Sequence, residues 1–395
     1  MGRPPWEVAD VLRSYGDIYR QNHGGSLPMQ HLRVMRAIEI CRTAELGGHV
    51  EACTNCGVRE ISYNSCRNRH CPKCQSAAKA RWLEARQSEL LPVSYFHVVF
   101  TLPESIAKIG LQNKRVIYDL LFHATAQTLR EVAADPKHLG AEIGFMAVLH
   151  TWGQTLSFHP HLHCVVPGGG FDSTGQQWID CSERFFLPVR VLGRHFRQIF
   201  LSSLLTAYQQ KRLHLEGDLA ELEDPRRYAA FINKAKSKKW VVYAKKPFGG
   251  PQQVLDYLGR YTHRVAISNH RLTNVADGKV TFSYRDYRTE KLRQMTLNAE
   301  EFIRRFLQHV LPPGFVRIRY FGFLAHRNRS LNIEKARKLL ESKKPTGSSA
   351  NLRGLKIPEA LAKICPHCSV GHFRALSEST SSGASALGAK GCDSS

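Results

Sequence analysis

Apolar positions recur at helical spacing from the start of the chain. Val8, Leu12, Tyr15 and Ile18 share one face, as do Leu32, Met35, Ile38 and Cys41, so residues 1–47 are predicted helical. After a Cys/His-rich segment, "AAKARWLEARQSELLP" predicts a basic helix that Pro92 closes. The pattern then changes. "YFHVVFTLP" (Tyr95 to Pro103) is rich in aromatic and β-branched residues and ends in proline, which predicts a strand. Helix follows over about 105–134, and "IGFMAVLHTWGQ" and "FHPHLHCVVPGGG" predict two strands joined by a short turn. "RFFLPVRVLGRHFRQIFLSSLLTAYQQKRLHL" reads as a strand start and an amphipathic helix, and Trp240–Tyr243 as a strand. Pro251 suits a helix N-terminus, with "QQVLDYLGRYTHR" continuing it. Beyond it the sequence alternates like a meander, with Asp277-Gly278 as a tight hairpin turn. Residues 298–311 and 330–341 are predicted helical, and the Ser/Gly/Ala-rich sequence after 374 is predicted to be largely disordered.

Composition places this pattern in an ordinary folded class. Of 395 residues, 43% are hydrophobic and 23% charged. No apolar run has the length of a membrane span, and the first residues lack an apolar signal core, so the expectation is a cytoplasmic, nucleoid-associated protein. Charge changes the picture. Fifty-six Lys and Arg against 33 Asp and Glu leave a net +23, which points to a polyanion. Solubility alone does not call for so one-sided a balance. The cluster "INKAKSKKWVVYAKKPFGGP" supplies Lys236, Lys238, Lys239, Lys245 and Lys246 as candidate DNA contacts.

The 11 cysteines fall mostly in pairs, which in a cytosolic chain indicate metal rather than disulfides. Cys53-x2-Cys56 and Cys71-x2-Cys74 are two knuckles that together predict one closed, structural zinc site. Cys41, His49, Cys66 and His70 remain and could build a second; the alternative is that they are surface or supporting residues. Cys365-x2-Cys368, with His372 nearby, is a weaker pair without a visible partner knuckle apart from Cys392.

The histidines of "FHPHLHC" pose the sharpest question. On a strand, residues two apart face the same way. His161 and His163 therefore share one face, while Leu162, Cys164 and Val166 share the other and suit a core. Two neutral imidazoles on one face are a half-built metal site. His159 has the same parity, but Pro160 is expected to break the strand there. In a basic protein such a metal would polarise a phosphodiester. "YLGRY" adds Tyr257 and Tyr261 at i and i+4 of a predicted helix. They are candidate nucleophiles, although Val254, Tyr257, Leu258 and Tyr261 also form an ordinary apolar stripe. Arg260 and Arg264 flank Tyr261 and could hold phosphate.

In order, behind a Cys-rich N-terminus, "FHVVFTLP", "HPHLH" and "YLGRYTHRVAISNHRL" resemble the HUH-type rolling-circle transposases of bacterial insertion sequences, and more narrowly the insertion sequence ninety-one and common-region family. The resemblance covers roughly residues 30–330. It implies an α+β fold: an antiparallel five-stranded HUH endonuclease sheet with packed helices, preceded by a helical, zinc-ribbon-like module. It also implies histidines on a central strand, a tyrosine helix lying over them, and a covalent 5′-phosphotyrosine through Tyr257 or Tyr261. A third metal ligand is expected upstream. Relatives place an acid there, and this sequence offers Gln154 first, His150 second and Asp256 third. Two histidines and an oxygen suit Mg²⁺ or Mn²⁺. The segments expected are a zinc-binding DNA-recognition module over 1–90, the endonuclease over 93–300, a helical extension over 301–345 and a tail over 346–395. Single-stranded DNA is the expected partner, with unwinding left to a host helicase or replication machinery, since no phosphate-binding Gly-rich loop is present. The rival readings are a plasmid or phage replication initiator and a catalytically inactive zinc-dependent DNA-binding protein.

Overall fold

A computed structural model describes residues 4–182, 186–245, 253–254, 259, 265–286, 288–343 and 364–376. The chain divides into two compact units: Met1–Trp82, His263–Val310 and Lys356–Ser395 in one, Leu83–Thr262 and Leu311–Leu355 in the other.

The first unit begins with helices α1 (Val8–His23) and α2 (Met29–Glu39). A capping box between Glu7 and Asp10 starts α1 by satisfying backbone N–H groups that have no partner within the helix. The apolar stripe then buries Val8, Val11, Leu12 and Tyr19 against Val34, Met35 and Ile38 of α2. The Cys-rich segment forms a hairpin that hydrophobic periodicity did not signal, β1 (Gly48–Cys53) and β2 (Arg59–Tyr63). Its strands are short and largely exposed. Helix α3 (Gln75–Gln87) follows.

The second unit is built on a five-stranded antiparallel sheet. Its elements run β3 (Tyr95–Thr101), α4 (Glu104–Gln112), α5 (Lys114–Ala134), β4 (Gly144–Trp152), β5 (Phe158–Pro167), β6 (Gly169–Phe171), β7 (Trp178–Asp180), α6 (Val189–Gln209), α7 (Pro225–Ser237) and β8 (Val241–Lys245). The strand Ile318–Gly322 lies at one edge, giving the order Ile318–Gly322, β4, β5, β3, β8. The expected α+β architecture and five-stranded sheet are therefore present, with β5 in the centre. The strand start expected before α6 is not seen: residues 183–185 lie outside the described set, and Phe186 and Leu187 are buried but irregular.

Strand alternation assigns the two faces. Phe96, Val98 and Phe100 of β3, Phe145, Ala147 and Leu149 of β4, and Leu162, Cys164 and Val166 of β5 all point into one core. There they meet Leu121 and Phe122 of α5 and Phe196 and Phe200 of α6. Phe100 packs edge-on to Phe196 at 5.1 Å between ring centroids, a geometry that favours aromatic pairs. Truncating such a buried ring to alanine costs about 3–5 kcal/mol. The opposite parity, His97, Val99, Thr101, Val148, His150, His161 and His163, faces away from this core. Pro160 lies inside β5 instead of ending it. The register shift between His150 and Trp152 accommodates it, since a bulge relieves the demand for the N–H that proline lacks.

The predicted meander is present as β9 (Leu272–Ala276), β10 (Lys279–Arg285) and β11 (Leu292–Asn298). Asp277 and Gly278 both take positive φ, 49° and 70°, as the hairpin turn requires. The meander belongs to the first unit. Its neighbours explain why. The backbone N–H of Val8 donates to Asn269 Oδ1 at 3.1 Å, that of Gly278 donates to the Tyr15 hydroxyl at 3.1 Å, and Asn22 Nδ2 donates to Glu300 Oε1 at 2.6 Å. The following helix Ala299–Leu307 buries Phe302, Ile303, Phe306 and Leu307.

A candidate three-histidine metal centre

His161 and His163 project from β5 on the same face, as period two requires, and cross-strand register adds a third imidazole. His150 of β4 stands directly opposite His161. The three rings each offer a nitrogen within 4.8 Å of the others. His150 and His163 are buried and His161 half-buried. Trp152 stacks on His150 at 4.7 Å and 18°, fixing its plane.

A hydrogen bond to a backbone carbonyl decides which nitrogen His161 presents. His161 Nδ1 lies 2.7 Å from the His159 carbonyl oxygen. A carbonyl only accepts, so Nδ1 carries the proton and Nε2 keeps its lone pair. His163 Nδ1 lies 2.8 Å from Nε2 of His97, a buried residue of β3. A proton on His163 Nδ1, donated to His97, puts the lone pair on His163 Nε2, toward His161. The two Nε2 atoms are 3.0 Å apart. Two lone pairs at that distance repel unless a cation or proton lies between them. Adjacent ligands of an octahedral ion bound at about 2.1 Å are themselves about 3.0 Å apart, so the ring nitrogens fit a divalent cation.

His150, ranked second from the sequence, converges with the pair. Gln154, ranked first, sits half-buried in the turn between β4 and β5. Asp256, ranked third, lies outside the described residues, as do Tyr257, Tyr261, Arg260, Arg264 and Lys246. His97 was not singled out in the sequence. Its signal was a lone imidazole in an apolar strand, at the parity of Thr101, which pairs with His161.

The cysteines regroup. The expected single centre of Cys53, Cys56, Cys71 and Cys74 is corrected, because the two knuckles take different partners. Cys71 and Cys74 meet Cys41 and Cys66, whereas Cys53 and Cys56 meet Cys365 and Cys368. A knuckle fixes only two vertices of a tetrahedron, so spacing cannot say which chain segment supplies the rest. In the first group Cys41–Cys74 and Cys41–Cys71 are 3.6 Å apart and Cys66–Cys74 3.5 Å, sulfur to sulfur. Zinc–sulfur bonds of about 2.3 Å give a tetrahedral edge of about 3.8 Å, so these thiols fit zinc. Hydrogen bonding with Cys66 and Cys71 holds the Cys41 thiol down at about 6, and that with Cys41 and Cys66 holds Cys74 lower still. The same crowding pushes Cys66 and Cys71 up, since four thiolates cannot share this space without a cation. His49 and His70 do not join either thiol group among the described residues. His49 Nε2 lies 3.0 Å from Glu51 Oε1 instead.

Basic side chains border the edge strand β8. Arg190, Arg194 and Arg197 of α6 and Lys238 and Lys239 line a cleft with Trp240 and Tyr243. Tyr243 is 52% exposed, and Val241 on the same strand 46%. Lys236 is exposed at the end of α7, and Lys245 lies on β8. No helix among the described residues is long and apolar enough to cross a membrane.

Comparison with known proteins finds transposases. Residues 144–331 match a family described as "Putative transposase", and residues 11–102 match a "Transposase zinc-binding domain". The chain is 55% identical over 380 residues to the putative transposase y4qJ of Sinorhizobium fredii, covering 94% of this chain and 95% of that one. It is 30% identical over 329 residues to the transposase for insertion sequence element IS801 of Pseudomonas savastanoi pv. phaseolicola, covering 82% of this chain and 78% of that one. No solved structure matches.

Proposed function

Because this chain belongs to the insertion sequence ninety-one family of transposases, with its N-terminal zinc-binding domain, we propose that it nicks and rejoins single-stranded DNA through a covalent 5′-phosphotyrosine, as rolling-circle transposition requires. The observation that carries this reading is the convergence of His150, His161 and His163 on the central strand pair, with ring nitrogens turned toward one point.

In this reading those three imidazoles hold a divalent cation, Mg²⁺ or Mn²⁺, with imidazole favouring Mn²⁺. When bound, the ion supplies Lewis-acid polarisation of the scissile phosphate. His97 orients His163, and the His159 carbonyl orients His161. Tyr261 or Tyr257 provides the nucleophile. Its phenolate oxygen forms a bond to phosphorus, the bond from phosphorus to the 3′ oxygen breaks, and that oxygen takes a proton to become a 3′ hydroxyl. The phosphodiester energy is kept in the phosphotyrosine and used when a 3′ hydroxyl attacks it to rejoin strands. Arg260 and Arg264 flank the tyrosine and would neutralise phosphate charge. The Arg- and Lys-lined cleft beside Tyr243 suits a single strand, with the backbone on the cations and a base on the ring. DNA is the partner, the zinc-binding segment would read the element's end, and strand opening would come from a host helicase or replication machinery. In this reading the protein works on the nucleoid, in the cytoplasm.

The replication-initiator reading uses the same chemistry, and the relatives' names favour transposition. The test is incubation of labelled single-stranded element ends with Mn²⁺, followed by a denaturing gel. A protein–DNA adduct is expected, lost in the Tyr257→Phe/Tyr261→Phe double variant, which keeps both rings and removes only the nucleophilic oxygens. An undiminished adduct in that variant would refute the mechanism.

A further inference from the structure

Cys365 and Cys368 lie outside both family-matched spans, yet their sulfurs meet those of the N-terminal knuckle. Cys53 Sγ is 3.6 Å from Cys368 Sγ, and Cys56 Sγ is 3.7 Å from Cys365 Sγ. A disulfide needs about 2.05 Å, whereas the edge of a zinc tetrathiolate is about 3.8 Å.

The backbone around the four sulfurs is built to hold them. The short strand Phe373–Ala375 pairs with β1, setting Phe373 opposite Cys53. Thr54 N–H donates to the His372 carbonyl at 2.9 Å, and His372 N–H donates to Thr54 Oγ1 at 3.1 Å. The Cys365 N–H donates to the Gly371 carbonyl at 2.8 Å, closing the C-terminal knuckle on itself. Three further N–H groups point at sulfur: Asn55 and Cys56 at Cys53, 3.4 and 3.5 Å, and Gly371 at Cys368, 3.3 Å. Such donors favour thiolate over thiol. A Cβ on Gly371 would collide with Cys53 Sγ, so a side chain there would spoil the approach.

We propose that Cys53, Cys56, Cys365 and Cys368 form a second structural zinc centre, separate from that of Cys41, Cys66, Cys71 and Cys74, which ties residues 364–376 to the N-terminal hairpin. Binding forms four zinc–sulfur bonds and releases the remaining thiol protons to solvent, with no change of oxidation state. The C-terminal segment thereby becomes a strand of the zinc-binding unit.

The experiment is metal analysis of full-length protein purified without chelator, beside a Cys365→Ser/Cys368→Ser variant. Two zinc ions per chain are expected in the native protein and one in the variant. Should the variant fail to fold, stepwise Co²⁺ loading of the apo native chain decides instead: the thiolate-to-cobalt absorption should rise to two equivalents. One zinc per native chain, cobalt saturation at one equivalent, or two zinc ions retained by the variant would each overturn the proposal.

Discussion

His97 offers a test of the metal centre that needs no DNA and substitutes none of the proposed ligands. Its ring does two things for His163: it stacks at 5.1 Å and 13°, and, in the tautomer that turns His163 Nε2 to the cation, it accepts the 2.8 Å hydrogen bond from His163 Nδ1. His97→Phe keeps a flat ring but removes the hydrogen-bond partner, leaving the buried His163 Nδ1–H without an acceptor. An unsatisfied buried donor costs about 1–3 kcal/mol. That cost falls on the tautomer whose Nε2 lone pair faces the cation. At about 1.4 kcal/mol per tenfold, Mn²⁺ affinity should drop about 5- to 150-fold, in keeping with the 10–100-fold usual for residues that orient a ligand. His97→Gln loses the stacking but can restore an acceptor, so it should recover most of the affinity. The assay is Mn²⁺ titration of the full chain by the electron paramagnetic resonance of free ion, with thermal unfolding in parallel. A structural role alone predicts the reverse order, with Phe binding normally and Gln impaired. Mn²⁺ affinity in His97→Phe within twofold of native would refute the orienting role.

The third ligand can be separated by substitution. His150→Ala should reduce Mn²⁺-dependent nicking at least about tenfold, by the loss of an inner imidazole, while Gln154→Ala should change it less; the opposite ranking in an oligonucleotide nicking assay would restore Gln154. Cys71 is fully buried among its three partner thiols, so Cys71→Ser should release one zinc ion on metal analysis and lower the melting temperature of the first unit, because structural zinc contributes folding energy directly. Glu301 is held down to about 2, first by its hydrogen bonds with Arg304 and then by those with Arg305, against a usual value of 4.5. Its folded value is depressed, so the stabilisation is complete above pH 4.5 and lost as pH falls toward 2. Glu301→Gln should therefore cost about 0.5–1 kcal/mol at neutral pH, discounted for solvent screening, and the gap should close in chemical denaturation near pH 2.

Local spacing carried some of these results. His161 and His163 share a face because side chains alternate along any strand, whatever packs around it. Leu162, Cys164 and Val166 enter the core for the same reason. Each Cys-x2-Cys pair could be recognised as half a metal site, since two sulfurs one turn apart must face together. The turn at Asp277-Gly278 was legible because few other residue pairs tolerate positive φ at both positions. Contacts between distant segments were not legible. Which sulfurs join Cys53 and Cys56 depended on a C-terminal strand pairing beside β1, some 309 residues from Cys56 to Cys365. That His150 stands opposite His161 was not legible, because sequence separation does not reveal cross-strand register; the pairing of β4 with β5 set it there. His97 was passed over because its partner lies on another strand. The meander joined the first unit through contacts with α1 that no adjacent residue announces. Sequence by itself determined which side chains face together within one element, a consequence of backbone geometry. The tertiary structure alone decided which elements meet, because that is set by long-range burial and pairing.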